Sequence, residues 1–338
     1  MPLNKIRRLI DLVAFCWSIG LAGQSSSMFN GLSIVAPRID VGSQPYVALK
    51  EIQADAVAII PFGFIRSGSD EVRYNLDTWQ WWGETLEGSR RSIQYAQEAG
   101  LQVMLKPQVY VPGSWPGAVD FTETGWSNFE ASYKAFILDF AWIAAKEQVP
   151  VLCIGTELDQ SAIKRPDFWR DLINEIRCFY SGELTYAANW DTYDQVSFWG
   201  DLDYIGIDAY FPLLDNPQAN VKDLVQAWVP YQKQIEKLHS YYQKPVMFTE
   251  FGYLSVANCA FENWNLEPQR RSIQADEAAQ ARAFEALFTV FSPVEWWAGG
   301  FIWKWYIDEG TQERRPETDY TPQAKQAFYT IQKWYQTN

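Results

Sequence analysis

The chain has 338 residues, a net charge of −13 and a single histidine, His239. The acidic charge argues against a nucleic-acid-binding protein, because phosphates are bound mainly by Lys and Arg, and against docking on anionic lipid. One histidine also argues against Ser–His–Asp or Cys–His catalysis and against a catalytic zinc site. Acid–base chemistry must therefore fall to carboxylates, Tyr or Lys, and we expect neither a metal nor a cofactor.

The chain is unusually aromatic, with 17 Trp, 18 Tyr and 20 Phe residues. Some of these rings fill a core. The remainder offer broad apolar faces with polar edges, which suit a protein that binds sugar rings. We expect a polysaccharide or oligosaccharide substrate.

The amino terminus resembles a secretory signal. Lys5, Arg7 and Arg8 precede an apolar stretch over residues 9–22, and small residues follow. This order of basic, apolar and small residues is typical of a signal peptide, which we place at residues 1–24. An uncleaved signal anchor and an ordinary amphipathic helix are the alternatives. We expect an exported protein that is secreted, periplasmic or membrane-anchored, with membrane contact only if the segment is not cleaved.

From residue 29 onward, the sequence alternates between strand and helix signals. Strands are predicted at residues 30–35, 56–61, 102–107, 151–157, 184–189, 204–208, 246–250 and 299–303. Helices are predicted at residues 45–52, 86–99, 128–146, 167–180, 221–242, 274–291 and 321–334. Eight strands, each followed by a helix or a helical turn, favour a single (β/α)8 TIM barrel over a doubly wound sheet. We expect one catalytic domain over residues 29–338, and a monomer.

Two of the predicted strands end in a glutamate. The fourth, VLCIGTE, ends at Glu157, and the seventh, VMFTE, ends at Glu250. Both are continuous apolar runs, as expected for buried parallel strands. In a barrel their carboxyl ends face each other across the mouth. We expect the two carboxylates to lie roughly 5–5.5 Å apart, the separation in retaining glycosidases, where one acid gives a proton to the leaving oxygen and the other attacks the anomeric carbon.

Other polar and aromatic residues follow the strands. Asn189, Trp190 and Asp191 come after strand five and are candidate sugar contacts. Lys106, near the exit of strand three, is either a contact to hydroxyls or a carboxylate, or a solvated lysine. Three loop tryptophans have two possible roles that the sequence leaves open, structural packing or outer sugar subsites: Trp81, Trp82 and Trp115.

The glutamate motifs resemble a known group of enzymes. GTEL at residues 155–158 and TEFGY at residues 249–253 are similar to motifs of the retaining (β/α)8 glycoside hydrolase clan, and within it most like the β-mannanase-type family 113. The resemblance covers roughly residues 29–335. It implies that Glu157 is the acid/base and Glu250 the nucleophile.

The resemblance implies three further roles. Tyr210, after strand six, corresponds to a tyrosine that hydrogen-bonds the nucleophile. Trp303, at the end of strand eight, corresponds to a platform under the sugar beside the scissile bond. Much of the clan has Asn immediately before the acid/base, where it holds the sugar 2-hydroxyl; here that position is Thr156, whose shorter hydroxyl we expect to make the contact.

The sequence therefore predicts an exported retaining glycoside hydrolase that acts on β-mannan or a related β-1,4-linked chain. A transglycosylase, or a hydrolase of β-glucan or a cell-wall glycan, fits the same pair of glutamates. If the protein is not an enzyme, the alternative is an inactive carbohydrate-binding barrel. A metal-dependent hydrolase is another alternative, if Asp203, Asp208 and Glu157 cluster.

Overall fold

The computed structural model describes residues 28–76, 79–270 and 272–337. The predicted signal at residues 1–24 lies outside this part of the chain, so export stays a prediction. Within the described residues, no helix combines the length and the apolar character that a bilayer crossing needs.

Eight parallel strands close into a barrel in chain order, with the last strand paired to the first. The strands are β1 (Phe29–Val35), β2 (Ala56–Ile59), β3 (Gln102–Leu105), β4 (Val151–Thr156), β5 (Glu183–Asn189), β6 (Ile205–Asp208), β7 (Val246–Phe251) and β8 (Trp297–Tyr306). The predicted (β/α)8 barrel is confirmed.

Helices surround the barrel. They are α1 (Gln44–Val47), α2 (Leu86–Glu98), α3 (Glu123–Lys146), α4 (Asp159–Lys164), α5 (Pro166–Arg177), α6 (Val221–Tyr242), α7 (Asn263–Leu266), α8 (Glu277–Phe291) and α9 (Gln326–Tyr335). α3 begins five residues before its predicted start, because the Thr122 side chain accepts the backbone N–H of Gly125 and caps the helix there. α9 begins five residues later than predicted.

The strands are buried on both faces, which explains their continuous apolar runs. Inside the barrel a compact cluster mixes small and larger side chains, so that no open pore remains. Its members are Phe29, Ala56, Ala58, Ile60, Met104, Val151, Cys153, Ala187, Tyr204, Met247, Ala298 and Phe301. A larger apolar layer lies between the strands and the helices.

A small accessory sheet lies where the sequence predicts only long loops. Its strands are Phe62–Ile65, Val72–Arg73 and Gln108–Tyr110, with the first of them in the middle. Two of them begin a few residues after the ends of β2 and β3. The sheet therefore stands on the carboxyl face of the barrel, the face on which barrel enzymes build their sites.

One tight contact in the barrel wall generates a stability prediction. A Cβ atom on Gly206, in β6, would lie 2.2 Å from the Tyr186 carbonyl oxygen and 2.5 Å from Thr185 Oγ1. Gly206→Ala must push two strands apart, and we expect it to lower the free energy of unfolding by about 1–3 kcal/mol. The matched control is Gly200→Ala, where the nearest atom, Tyr242 Cδ1, is 4.0 Å away. Equal urea midpoints for the two variants would contradict the prediction.

Candidate active site

A buried ammonium group occupies the mouth of the barrel. Lys106 follows β3 and its side chain is fully buried. Its Nζ donates to both carboxylate oxygens of Asp208, at 3.2 and 3.4 Å, and to Glu250 Oε2 at 2.9 Å. We call Lys106, Asp208 and Glu250 the ion triad. Asp208 is the last residue of β6, and Glu250 is the last but one of β7. Because Lys106 follows β3, the triad links strands on opposite sides of the barrel.

The charges in the ion triad depend on one another. Burial alone disfavours the ammonium, but the carboxylates of Asp208 and Glu250 outweigh it and raise the pKa of Lys106 above its usual value. Burial raises the pKa of Asp208 to about 7, while the ammonium of Lys106 opposes that rise. Thr249 Oγ1 also donates to Asp208 Oδ1 at 2.8 Å. Lys106 thus stays charged, and Asp208 is held by two donors.

Glu250 receives a donor on each carboxylate oxygen. Lys106 binds Oε2, and the Tyr210 hydroxyl donates to Oε1 at 2.5 Å. Burial, followed by the negative charge of Glu250, raises the pKa of Tyr210 well above its usual value, so the phenol keeps the proton that it donates. The two donors fix the orientation of the Glu250 carboxylate.

Glu157 lies in a different environment. It follows β4 with φ of 50°, in the left-handed region that few residues other than glycine adopt, and its N–H donates to the Ala187 carbonyl at 2.8 Å. Its carboxylate accepts the Trp115 indole N–H at 3.0 Å. Burial, then the negative charges of Asp208 and Glu250, raise the pKa of Glu157 to about 8, whereas the Trp115 bond acts to lower it. Glu157 is therefore largely protonated at neutral pH.

The strands that carry the two glutamates are irregular near their carboxyl ends. The pairing of β4 with β5 shifts register between Cys153 and Thr156, and the pairing of β7 with β6 shifts between Met247 and Glu250. Such bulges bend a strand and change the direction of the following side chains. Both carboxylates are thus presented from strand ends that depart from regular pairing.

The last residue of β5 and the two residues after it form one side of the mouth. Asn189 pairs with Asp208 in the sheet, and its side chain donates to Asp191 Oδ1 at 2.8 Å. Trp190 stacks on Trp264, with ring centroids 5.4 Å apart. Asp191 is exposed. No hydrogen bond among the described residues links Asn189 or Asp191 to the side chains of the ion triad.

Trp303 lies on the opposite side, in β8. Its half-buried ring has the Lys304 ammonium 5.7 Å from its centroid. A Cβ atom on Gly252 would lie 2.3 Å from the Trp303 carbonyl oxygen. The glycine of the TEFGY motif is therefore required for the chain after β7 to pass close to β8.

The remaining candidate, Thr156, is the last residue of β4 and is buried. Its Oγ1 lies 4.0 Å from Cys153 Sγ. The structure brings together Lys106, Tyr210 and Glu250. Thr156 precedes Glu157 in the chain, and among the described residues its side chain has no hydrogen bond to another site residue.

Two residues of the site were not among the predicted contacts. Asp208 entered the sequence analysis only as part of a hypothetical metal cluster, although its place at the end of a buried strand, like that of Glu250, is a usable signal. Trp115 was left undecided between packing and sugar binding. Its bond to Glu157 joins residues 42 positions apart, and no local pattern indicates it.

The hypothetical metal cluster does not form. Asp203 precedes β6, where its carboxylate pairs with Arg177 and accepts the Leu184 N–H. Asp208 ends the same strand at the opposite face of the barrel. In the described part of the chain, no group of three or more His, Cys, Asp or Glu residues is arranged to hold a metal ion.

Comparison with known families decides the kind of site. The profile of glycoside hydrolase family 113 matches residues 44–325. The protein belongs to glycoside hydrolase family 113. The resemblance drawn from the two glutamate motifs is confirmed, and as a glycoside hydrolase this family member takes a carbohydrate substrate.

Solved structures of family 113 share the fold. A GH113 β-1,4-mannanase superposes with a TM-score of 0.78 at 24% sequence identity, over 92% of this chain and 100% of the other. The GH113 β-mannanase AaManA from Alicyclobacillus acidocaldarius, in complex with ManMIm, gives 0.79 at 21% identity, over 92% and 98%. A β-glucuronidase from Faecalibacterium prausnitzii gives 0.61 at 14% identity, over 92% of this chain and 49% of its own. A comparison with curated proteins gave no match.

The ion triad generates a second stability prediction. Lys106→Met leaves Asp208 and Glu250 buried together without their cation, and we expect it to lower the free energy of unfolding by about 3–5 kcal/mol at pH 8. Loss of the ammonium raises the pKa of Asp208 further above its value in the unfolded chain. The folded variant then binds more protons than the folded wild type, in which Asp208 has a pKa of about 7. The penalty therefore shrinks as the pH falls from that raised pKa towards about 7.

Urea unfolding of the Lys106 variant at several pH values measures this penalty. Adding Asp208→Asn to Lys106→Met removes one unpaired charge and should restore part of the lost stability. A penalty that does not change with pH, or that the second substitution does not reduce, would contradict the assignment of a charge pair.

Proposed function

We propose that this protein is a retaining glycoside hydrolase that cleaves β-1,4-linked mannan-type polysaccharide or oligosaccharide within the chain. The observation that carries the proposal is the unequal environment of the two glutamates. Glu157 has a pKa raised to about 8 and accepts one hydrogen bond from an indole. Glu250 is held by an ammonium and a phenol on its two oxygens. Two carboxyls in such different surroundings suit an acid and a nucleophile.

In the first step, protonated Glu157 gives its proton to the glycosidic oxygen while the Glu250 carboxylate attacks the anomeric carbon. The bond to the leaving sugar breaks, that sugar departs as an alcohol, and a glycosyl ester forms on Glu250. Lys106 and Tyr210 hold the attacking carboxylate in place, which removes orientational freedom from the reaction.

In the second step, the Glu157 carboxylate takes a proton from water, whose oxygen attacks the anomeric carbon. The ester bond breaks, Glu250 is freed as a carboxylate, and the sugar leaves with its original anomeric configuration. When a sugar hydroxyl replaces the water, the same step gives transglycosylation.

The mannan preference rests on family membership and on the β-mannanase activity of two structural neighbours. Trp303, Trp190 and the hydroxyl of Thr156 are proposed sugar contacts, together with Asn189 and Asp191. Trp303 and Trp190 offer ring faces near the mouth. The shorter Thr156 takes the position at which the clan uses Asn for the sugar 2-hydroxyl.

The main test measures hydrolysis of soluble β-mannan, glucomannan, β-glucan and xylan by the wild type and by Glu250→Ala. We expect β-mannan to be cut and the variant to lose several orders of magnitude in kcat. Azide should restore turnover of Glu250→Ala on an activated aryl glycoside and give a glycosyl azide of inverted configuration. Glu98→Ala, an exposed acid on α2, is the matched control.

Other results of this test would redirect the proposal. Cleavage of β-glucan or xylan alone would overturn the mannan preference. Binding of a glycan that is not cut would favour a carbohydrate-binding barrel. Full activity of Glu250→Ala would exclude Glu250 as the nucleophile.

The pKa of Glu157 predicts the basic limb of the pH profile. Because the acid must be protonated to act, kcat/KM should fall as the pH rises through about 8. Trp115→Phe keeps the burial but removes the donor that lowers this pKa, so the limb should move to higher pH. Trp142→Phe, on the outer face of α3, should leave it in place. A shift of the Trp115→Phe limb to lower pH would contradict the role of the indole.

A further inference from the structure

A second concave surface lies on the accessory sheet. A groove of about 200 Å³ is lined by Phe64, Arg66, Arg73, Trp79, Tyr110 and Pro112, among others. We call it the distal groove. It belongs to the chain segments that follow β2 and β3, so it lies at the same end of the barrel as the two glutamates.

The distal groove presents aromatic rings to solvent. Trp79 is 55% exposed and Tyr110 is 51% exposed. Both contact Phe64, with ring centroids 4.6 and 6.3 Å away. Single exposed aromatic residues are common on protein surfaces and need no explanation. Three rings joined around one groove form a continuous apolar surface that is better explained by a ligand.

Two cations border these rings. Arg66 and Arg73 line the groove, and neither forms an ion pair or a side-chain hydrogen bond with any residue in the described ranges. A protein with a net charge of −13 has many carboxylates with which to pair arginines. As far as the described residues go, the guanidinium N–H donors are instead unpaired beside an aromatic surface.

The distal groove adjoins a larger cleft, and the loop that lines both also carries Trp115 of the candidate active site. Arg66 and Pro112 also line a neighbouring cleft of about 630 Å³, whose wall includes Gly113 and Ser114. The next residue, Trp115, donates to Glu157. The five Cα-to-Cα steps from Tyr110 to Trp115 span at most about 18 Å. One loop therefore connects the groove to the proposed acid.

The geometry points to the distal groove as a remote subsite for the polysaccharide substrate. A sugar unit several positions from the scissile bond would lay the C–H face of its ring on Trp79 and Tyr110, and its hydroxyls would accept from Arg66 and Arg73. This inference rests on the proposed function for the identity of the chain. It commits to an uncharged glycan, because the aromatic surface is larger than the charged border.

The first test compares kcat/KM on β-1,4-mannooligosaccharides of increasing length. Trp79→Ala and Tyr110→Ala should each lower kcat/KM about tenfold on the longest oligosaccharides and leave it unchanged on the shortest one that is cut. The matched controls, Trp142→Ala and Tyr241→Ala, remove exposed rings from the outer helices α3 and α6 and should have no effect. Equal losses at all lengths, or no loss at any, would overturn the inference.

The second test does not need turnover. Glu250→Gln, with and without Trp79→Ala, is run through native gels containing mannan, β-glucan, xylan or polygalacturonate. Slower migration in a neutral glycan that Trp79→Ala abolishes supports the distal groove even if no glycan is hydrolysed, so failure of the proposed function is seen separately. Retardation only in polygalacturonate, retardation that Trp79→Ala does not reduce, or none at all would overturn the inference. Arg66→Met, tested in parallel, should also weaken the retardation, so the test does not depend on correct folding of the Trp79→Ala variant alone.

Discussion

The mouth of this barrel depends on one buried ammonium group between two carboxylates. Burial of the Lys106 ammonium is costly in free energy unless both carboxylates pair with it. Burial of Asp208 and Glu250 so close together is equally costly without the ammonium. The three residues come from β6, β7 and the end of β3, so correct closure of the barrel and correct placement of the Glu250 carboxylate are the same event. The stability of the fold and the preparation of the site therefore share one interaction.

The same charges separate the two glutamates. Glu250 takes the donors that the ion triad and Tyr210 provide, whereas Glu157 feels mainly the burial and the repulsion of the nearby acids. The clustered negative charges thus affect the two glutamates differently. At Glu250 they are balanced by the ammonium of Lys106, and at Glu157 they favour the protonated carboxyl. Trp115 moderates the second effect from a loop, which makes the protonation of Glu157 sensitive to the position of that loop.

Sequence reasoning found the repeated strands and both glutamates, because continuous apolar runs that end in an acid are visible locally. The accessory sheet was missed, since Phe62–Ile65 and Val72–Arg73 are too short to show a strand period and contain few β-branched residues. The side-chain partners within the site were harder still to predict. Lys106 lies 102 positions from Asp208 and 144 from Glu250, so the choice between a solvated lysine and a buried ion pair requires the closed barrel.

The division of the ion triad along the chain has a consequence for the assembly of the fold. The half of the protein that ends with α5 contains the ammonium, and the half that begins with β5 contains both of its partners. Neither half alone can neutralise the charge that it brings to the centre, although each contains four strands. Two separately produced halves would thus have an electrostatic reason to recombine with each other, and a barrel made from two copies of either half would have none.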